Sequence, residues 1–336
     1  MKIAWALVCI VGVASQAALA QAAGAGSVLR LDAALDALVA ADAKLETLYQ
    51  RESTFEGPNW VRVGKSGYLI FADVPGNAIE RLNADGSVSP LLENIYQGKD
   101  IADAYESFGL NGQRKFRMLG ANGVTLDRRG RVVYCAYSDG QIVRLEHDGR
   151  RTVLASQYDG HRINAPNDLV YRSDGALYFT DSRAATRHAN GDGIPHKGLY
   201  LLKGGKVLLL SQDIDHPNGV ALSPDEKYLY VTNSMQKNVL RYEVRPEAIA
   251  NETVFVDMSG ASGAGAPDGV KVDRRGNVYA SGPGGIWILS PAGKHLGTIQ
   301  TPQQVNNFAF GDSDYRALYM TGAGLLYRIR LNSPAR

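Results

Sequence analysis

The chain has 336 residues, of which 45% are hydrophobic and 21% charged, with 37 Gly, 13 Pro and 2 Cys. Lys and Arg (36) nearly balance Asp and Glu (34), so the formal charge is +2, which excludes a nucleic-acid binder that works through a basic face. The same composition excludes long disorder, collagen and a disulfide scaffold, and the many glycines predict tight turns between short strands.

Residues 1–20, MKIAWALVCIVGVASQAALA, carry one positive charge at Lys2, an apolar run, and small residues at Ala18 and Ala20. That pattern predicts an export leader cleaved after Ala20, not a membrane span, which needs about 20 apolar residues. The mature chain would have 316 residues and a charge of +1, from 35 basic and 34 acidic groups. Its expected destination is the periplasm or the medium. No later segment is apolar for long enough to cross a bilayer. Cleavage removes Cys9 and leaves Cys135 alone, so no internal disulfide is expected, and Cys135 reads as a small core residue.

Residues 29–49 place Leu31, Leu35, Leu38 and Val39 at helical spacing, which predicts a short N-terminal helix. From Lys44 the pattern becomes ambiguous with a strand. From Glu56 one unit recurs: a polar residue, usually followed by Gly, then an alternating apolar stretch, a turn and an aromatic-rich strand. It starts at Glu56, Asn122, Asn167, Asn218, Asp268 and Asn306, at intervals of 66, 45, 51, 50 and 38 residues. Turns such as Asp127-Arg-Arg-Gly130 and Ser173-Asp-Gly175 close one hairpin in each unit, and a second hairpin follows in most. Four strands per unit at this period predict a propeller blade, so the expected fold is an all-β, six-bladed β-propeller. Residues 44–49 are expected to close the ring against residues 325–331. The expected division is a leader at 1–20, helix and closing strand at 21–55, and the propeller at 56–332. The long first interval carries a polar insert, residues 96–119, expected over one mouth of the channel.

In a propeller the first strand of each blade lines the axis, so the six recurring positions would form a ring. Amides and carboxylates occupy all six, with no Lys, Arg or His among them. One such residue is more simply a turn former. Six together make a hard oxygen cage, whose donors suit calcium or magnesium rather than zinc; the expected cofactor is calcium, with other divalent cations such as magnesium, manganese or zinc as alternatives. The chain has no GxSxG elbow, HExxH, CxxC or P-loop.

Glu56-Gly-Pro58, Pro166-Asn-Asp168, Pro217-Asn-Gly219 with Ser223-Pro-Asp225, Pro267-Asp-Gly269, Gly282-Pro-Gly-Gly285 and the ending Leu326-Tyr-Arg-Ile-Arg-Leu331 resemble the gluconolactonase, regucalcin and luciferin-regenerating enzyme family, over about residues 30–332. The branch most resembled is the bacterial gluconolactonases. The resemblance implies a divalent ion, usually calcium, in the channel of a six-bladed propeller. Glu56, Asn218 and Asp268 match its metal ligands, and Asn167 matches a position that binds metal in some members and substrate in others. The chain departs from the family pattern at Tyr137, where a His is frequent, and at Asp181-Ser-Arg-Ala-Ala185, where Asp-Pro-Pro-Tyr-Gly is frequent. Both departures fall at the expected substrate mouth.

The expected activity is metal-assisted opening of a lactone ring. Asp268 is the expected base that activates water, with Glu56 second. Asn167 and Asn122 are expected to orient substrate, and Tyr137 and Arg183 to set specificity. Two other readings use the same scaffold: hydrolysis of an organophosphate or aryl ester at the same metal, and a non-hydrolytic lyase or ligand-binding propeller.

Overall fold

The computed structural model describes residues 26–98, 106–108, 115–184 and 191–336, with backbone alone at 106–108 and 115. The expected leader lies outside these residues. Six antiparallel sheets are arranged as a propeller. Their inner strands are Phe55–Val63, Ala121–Leu126, Pro166–Tyr171, Pro217–Leu222, Val270–Val272 and Val305–Gly311, which define blades 1 to 6 in chain order. Each inner strand touches the next, and that of blade 6 touches that of blade 1, so the ring is closed.

The second strand of every blade reads as an unbroken apolar run because both its faces are buried. In blade 2, Val133 and Cys135 face blade 3 while Tyr134 and Ala136 face blade 1. In blade 3, Tyr178 packs toward blade 4 and Phe179 toward blade 2. In blade 4, Val231 packs toward blade 3 and Tyr230 toward blade 5. The two-residue period of a strand thus feeds two cores at once. The result is six hydrophobic clusters, one per blade interface. Outer strands lose this double burial, and Ile249–Asp257 is largely exposed.

The N-terminal segment differs from the helix expected over 29–49. Ser27–Arg30 is a strand that adds to the outer edge of blade 5, pairing with residues 297–300. Only Ala33–Ala37 is helical, as a single 3-10 turn capped by Asp32, whose carboxylate accepts the Ala34 N–H at 2.8 Å. The helical spacing of Leu35, Leu38 and Val39 reflects that turn, which pushes all three into the core between blades 5 and 6. Glu46–Gln50 then pairs with Leu325–Arg330 as the outermost strand of blade 6, joining the two ends of the chain in one sheet. This pairing removes an open edge. In the insert, Glu106–Phe108 pairs with Lys115–Arg117. Its root is held near the end of the second strand of blade 1, where Asn77 exchanges side-chain hydrogen bonds with the Tyr96 backbone at 2.8 and 2.9 Å.

The glycine that follows the recurring polar residue has a steric cause. A Cβ on Gly57 would lie 2.3 Å from the Asn122 carbonyl oxygen, and one on Gly219 would lie 2.2 Å from the Asp268 carbonyl oxygen. Neighbouring inner strands come so close at the mouth that only an unsubstituted Cα fits, and at Gly219 the approach carries a hydrogen bond, N–H to Asp268 O at 2.9 Å. Gly219→Ala is therefore expected to cost about 1–3 kcal/mol through overpacking. Denaturant unfolding measures it, and an unchanged midpoint would contradict the crowding.

Candidate active site

The recurring polar residues sit at one end of the inner strands, and the ladder is irregular there. Pairing shifts between Glu56 and Asn59, between Pro166 and Leu169, between Pro217 and Val220, and between Val305 and Asn307. Such bulges bend a strand and re-aim its side chains. Hydroxyls on the second strands fix the backbone at this level. Thr180 Oγ1 donates to the Asn218 carbonyl at 2.6 Å, Thr232 donates to the Asp268 carbonyl, and Ser281 donates to the Asn306 carbonyl at 3.2 Å. Each hydroxyl thus holds the channel residue of the following blade by its backbone, while the Asn218 side chain donates from Nδ2 to Ser234 Oγ at 3.2 Å.

Glu56, Asn167 and Asn218 are buried, at 5%, 8% and 6% exposure, and Asn122 is buried as well. Asp268 is half-buried as a residue, yet its Oδ1 is sealed from solvent. Burial pushes the Glu56 carboxyl well up, and the nearby charges of Asp268 and Asp168 push it further. Burial, then the Asp168 charge, raises Asp268 to about 8, against the pull of Lys271 and a hydrogen bond from Asn218. Carboxylates from blades 1, 3 and 5 feel one another only if all three project toward the axis. Desolvation and the neighbouring carboxylates thus favour the neutral form of both groups, and Lys271 offsets this in part.

Among the described residues, no three His, Cys, Asp or Glu side chains form a metal-binding group. The set here is mixed: two carboxylates with amides. Asn218 Oδ1 and Asp268 Oδ1 are buried and have no hydrogen-bond partner. Unpaired buried oxygens are costly. Two of them beside a raised-pKa glutamate suit a hard divalent cation, so the chemistry of the donors fits one.

Glu56, Asn218 and Asp268 are therefore brought together, and Asn167 and Asn122 occupy the equivalent places on blades 3 and 2. Asn306 instead bridges blades, donating from Nδ2 to the Phe55 carbonyl at 3.4 Å and accepting from Gln304 at 3.3 Å. Tyr137 and Arg183 follow the second strands of blades 2 and 3 at the same end, and Arg183 Nε donates to the Tyr137 hydroxyl at 3.5 Å. His216, just before Pro217-Asn218, shares that rim. Burial, then the charges of Arg183 and Lys197, pushes its imidazole down to about 4, so it is neutral at pH 7. Asp181, in the segment that departs from the family pattern, accepts the Asn164 and Ala165 N–H groups at 2.8 and 2.9 Å and fixes the entry to Pro166-Asn167. Cys135 is fully buried, and burial pushes its thiol well up, as a core residue requires.

Three residues of the channel were not singled out from the sequence. Asp168 and Asn307 occupy the place after the recurring polar residue, where the other four repeats have Gly. They belong to opposite blades, yet Asn307 Nδ2 donates to Asp168 Oδ2 at 3.4 Å, across the axis. Lys271 of blade 5 donates to Asp168 Oδ2 at 3.3 Å and to Asn307 Oδ1 at 3.0 Å. The exception to Gly at two repeats three apart is the signal that marks Asp168 and Asn307; no repeat signal marks Lys271.

A family model described as SMP-30/gluconolactonase/LRE-like region matches residues 55–324. A gluconolactonase of Zymomonas mobilis is 30% identical over 319 residues, which cover 91% of this chain and 86% of that protein. Among solved structures, a gluconolactonase of Xanthomonas campestris superposes with a TM-score of 0.75 at 30% identity, covering 92% of this chain and 96% of the other. The calcium-binding protein regucalcin of Agrobacterium tumefaciens superposes with a TM-score of 0.64 at 18% identity, covering 86% and 96%, and shares the fold.

Proposed function

The chain belongs to the SMP-30/gluconolactonase/LRE-like family, and from that premise we propose that it is a lactonase: a hydrolase that opens a small-molecule lactone with a divalent cation, calcium first, at the mouth of the channel. The observation that supports this most is the pair of raised-pKa carboxylates, Glu56 and Asp268, beside the unpartnered Asn218 and Asp268 oxygens.

Glu56, Asn167, Asn218 and Asp268 would hold the ion. When bound, it supplies Lewis acidity to the lactone carbonyl and stabilises negative charge on the carbonyl oxygen. Asp268 accepts a proton from the attacking water, so it must be ionised. A nearby positive charge lowers its pKa and permits that at neutral pH. Glu56, on a different blade, keeps its charge directed at the same place. Asn122 and Asn167 present amide groups that orient the ring oxygen and hydroxyls of the lactone. Buried surroundings exclude bulk water and strengthen each of these contacts.

Tyr137 and Arg183 stand at the rim, away from the reacting bond, and select among lactones by their substituents. Arg183→Ala is expected to raise KM for the preferred lactone about tenfold while kcat stays within about threefold, the mark of lost uniform binding. Steady-state kinetics read it, and a collapse of kcat with KM unchanged would place Arg183 in the chemistry instead. Export is proposed as well, with the mature N-terminus at Gln21. Mass determination of the protein from the producing cell tests it.

The activity is tested by pH-stat hydrolysis of a lactone panel by the mature protein, with and without a chelator, beside a phosphotriester and an aryl ester. Lactone turnover that disappears with the chelator and returns with calcium supports the reading. Turnover insensitive to chelation overturns the metal role. Phosphotriester turnover alone, or none with tight calcium retention, moves the site to ester hydrolysis or to binding.

A further inference from the structure

The channel below the proposed ion contains a fixed positive charge that the lactonase reading leaves without a role. Lys271 Nζ lies 3.0 Å from Asn307 Oδ1 and 3.3 Å from Asp168 Oδ2. Asp168 and Asn307 are each 2% exposed. Asp168 is further committed by accepting the Leu169 N–H at 2.9 Å, and Asn307 by accepting the Phe308 N–H at 2.9 Å. The network ties blades 3, 5 and 6 together and holds an ammonium group within the channel. Both Glu56 and Asp268 feel that charge.

Counting the charges gives the consequence. Glu56, Asp168 and Asp268 bring three negative charges when ionised, and Lys271 brings one positive charge, leaving two negative charges in a largely buried channel. One divalent cation neutralises that. We infer that Lys271 is a built-in counter-ion that matches the channel to a single divalent ion and discriminates against ions of higher charge. This rests on the metal reading of the lactonase site, with the orphaned Asn218 and Asp268 oxygens marking where the ion sits.

Lys271 is a positioning residue. Its ammonium is held by Asp168 and Asn307. Ligand charge count sets ion affinity in oxygen cages, and in a low-dielectric channel one unit of charge weighs more than it does in water. Without Lys271 the three carboxyls, once ionised around an ion, would bring three negative charges and suit a trivalent ion. Both ions must displace the same protons from Glu56 and Asp268, so the ratio of their affinities is independent of protonation of the free protein.

The test is calorimetric titration of the mature protein with Ca2+ and with Tb3+ at one pH, on wild type, Lys271→Met, Lys271→Arg and Asn307→Asp. Wild type is expected to bind one Ca2+ per chain. Lys271→Met is expected to raise the Tb3+ to Ca2+ affinity ratio at least about tenfold, and Lys271→Arg to leave it within about threefold. Asn307→Asp adds a negative charge at the same point with almost no change of shape, and is expected to shift the ratio in the same direction as Lys271→Met. It keeps the test decisive if Lys271→Met fails to fold. Folded variants with an unchanged ratio, while wild type binds Ca2+, overturn the role of Lys271 and leave the metal reading standing. A wild type that binds neither ion overturns both.

Discussion

Asp268→Asn is expected to lower kcat on the preferred lactone by about three orders of magnitude, the range for loss of a positioned general base. Amide for carboxylate keeps the shape and removes the proton acceptor. The backbone of Asp268 would be undisturbed, because its carbonyl oxygen, and not its side chain, takes the Gly219 N–H and the Thr232 hydroxyl. Stability makes the test specific. In the metal-free protein the Asp268 charge opposes those of Asp168 and Glu56. Removing it relieves repulsion, so the metal-free variant is expected to melt at a higher temperature than metal-free wild type at pH 8. Active sites commonly carry such instability in exchange for function. Activity lost together with a lowered Tm would mean that Asp268 is structural. Near-normal turnover would move the base elsewhere, with Glu56 next.

Removal of the metal should be visible in the pH dependence of stability. Asp268 is raised to about 8 in the folded protein, and Glu56 is raised in the same direction. A carboxyl raised on folding binds more protons folded than unfolded. Its folded form is therefore penalised once pH exceeds the unfolded value, and the penalty grows until pH passes the folded value. His216 acts in the opposite sense, because its folded imidazole is lowered to about 4. Folding then loses stability as pH falls below its unfolded value near 6.5, so above that pH His216 contributes no slope. Between pH 6.5 and about 8 the chelated protein is expected to lose stability steadily. Calcium at about 100 times its Kd adds about 2.7 kcal/mol, which for a chain of this size is about 4 °C in Tm. It also flattens the slope, because the bound ion keeps both carboxylates ionised. Scanning calorimetry across this window decides. A chelated protein whose Tm rises from pH 6.5 to 8 would contradict the buried carboxylates.

Much of the architecture was legible because the repeat is a chemical necessity in each blade. The second strands feed two cores with alternate residues, so each reads as an apolar, aromatic-rich run, as in Tyr228–Asn233. Gly57 and Gly219 recur because the next blade's carbonyl leaves no room for a Cβ. Position in the repeat alone pointed to Glu56, Asn122, Asn167, Asn218, Asp268 and Asn306, and the fold sets these six at one end of the inner strands. The N-terminal segment was misread because three apolar residues at helical spacing serve a 3-10 turn as well as an α-helix, and Leu29 alternates on a strand whose partner lies at Thr298, far along the chain.

The amino-acid sequence by itself determined the blade count, the residue types at the channel mouth and the near-neutral balance of charge, because each of these is repeated or counted locally. Only the tertiary structure decided which of those residues act on one another. Asp168 and Asn307 meet because blades 3 and 6 face each other across the axis, and Lys271 reaches both from blade 5. Ring closure sets such distances, and no spacing along the chain encodes them. The same closure buries Glu56 and Asp268 near other charges, which is the physical origin of their raised pKa values.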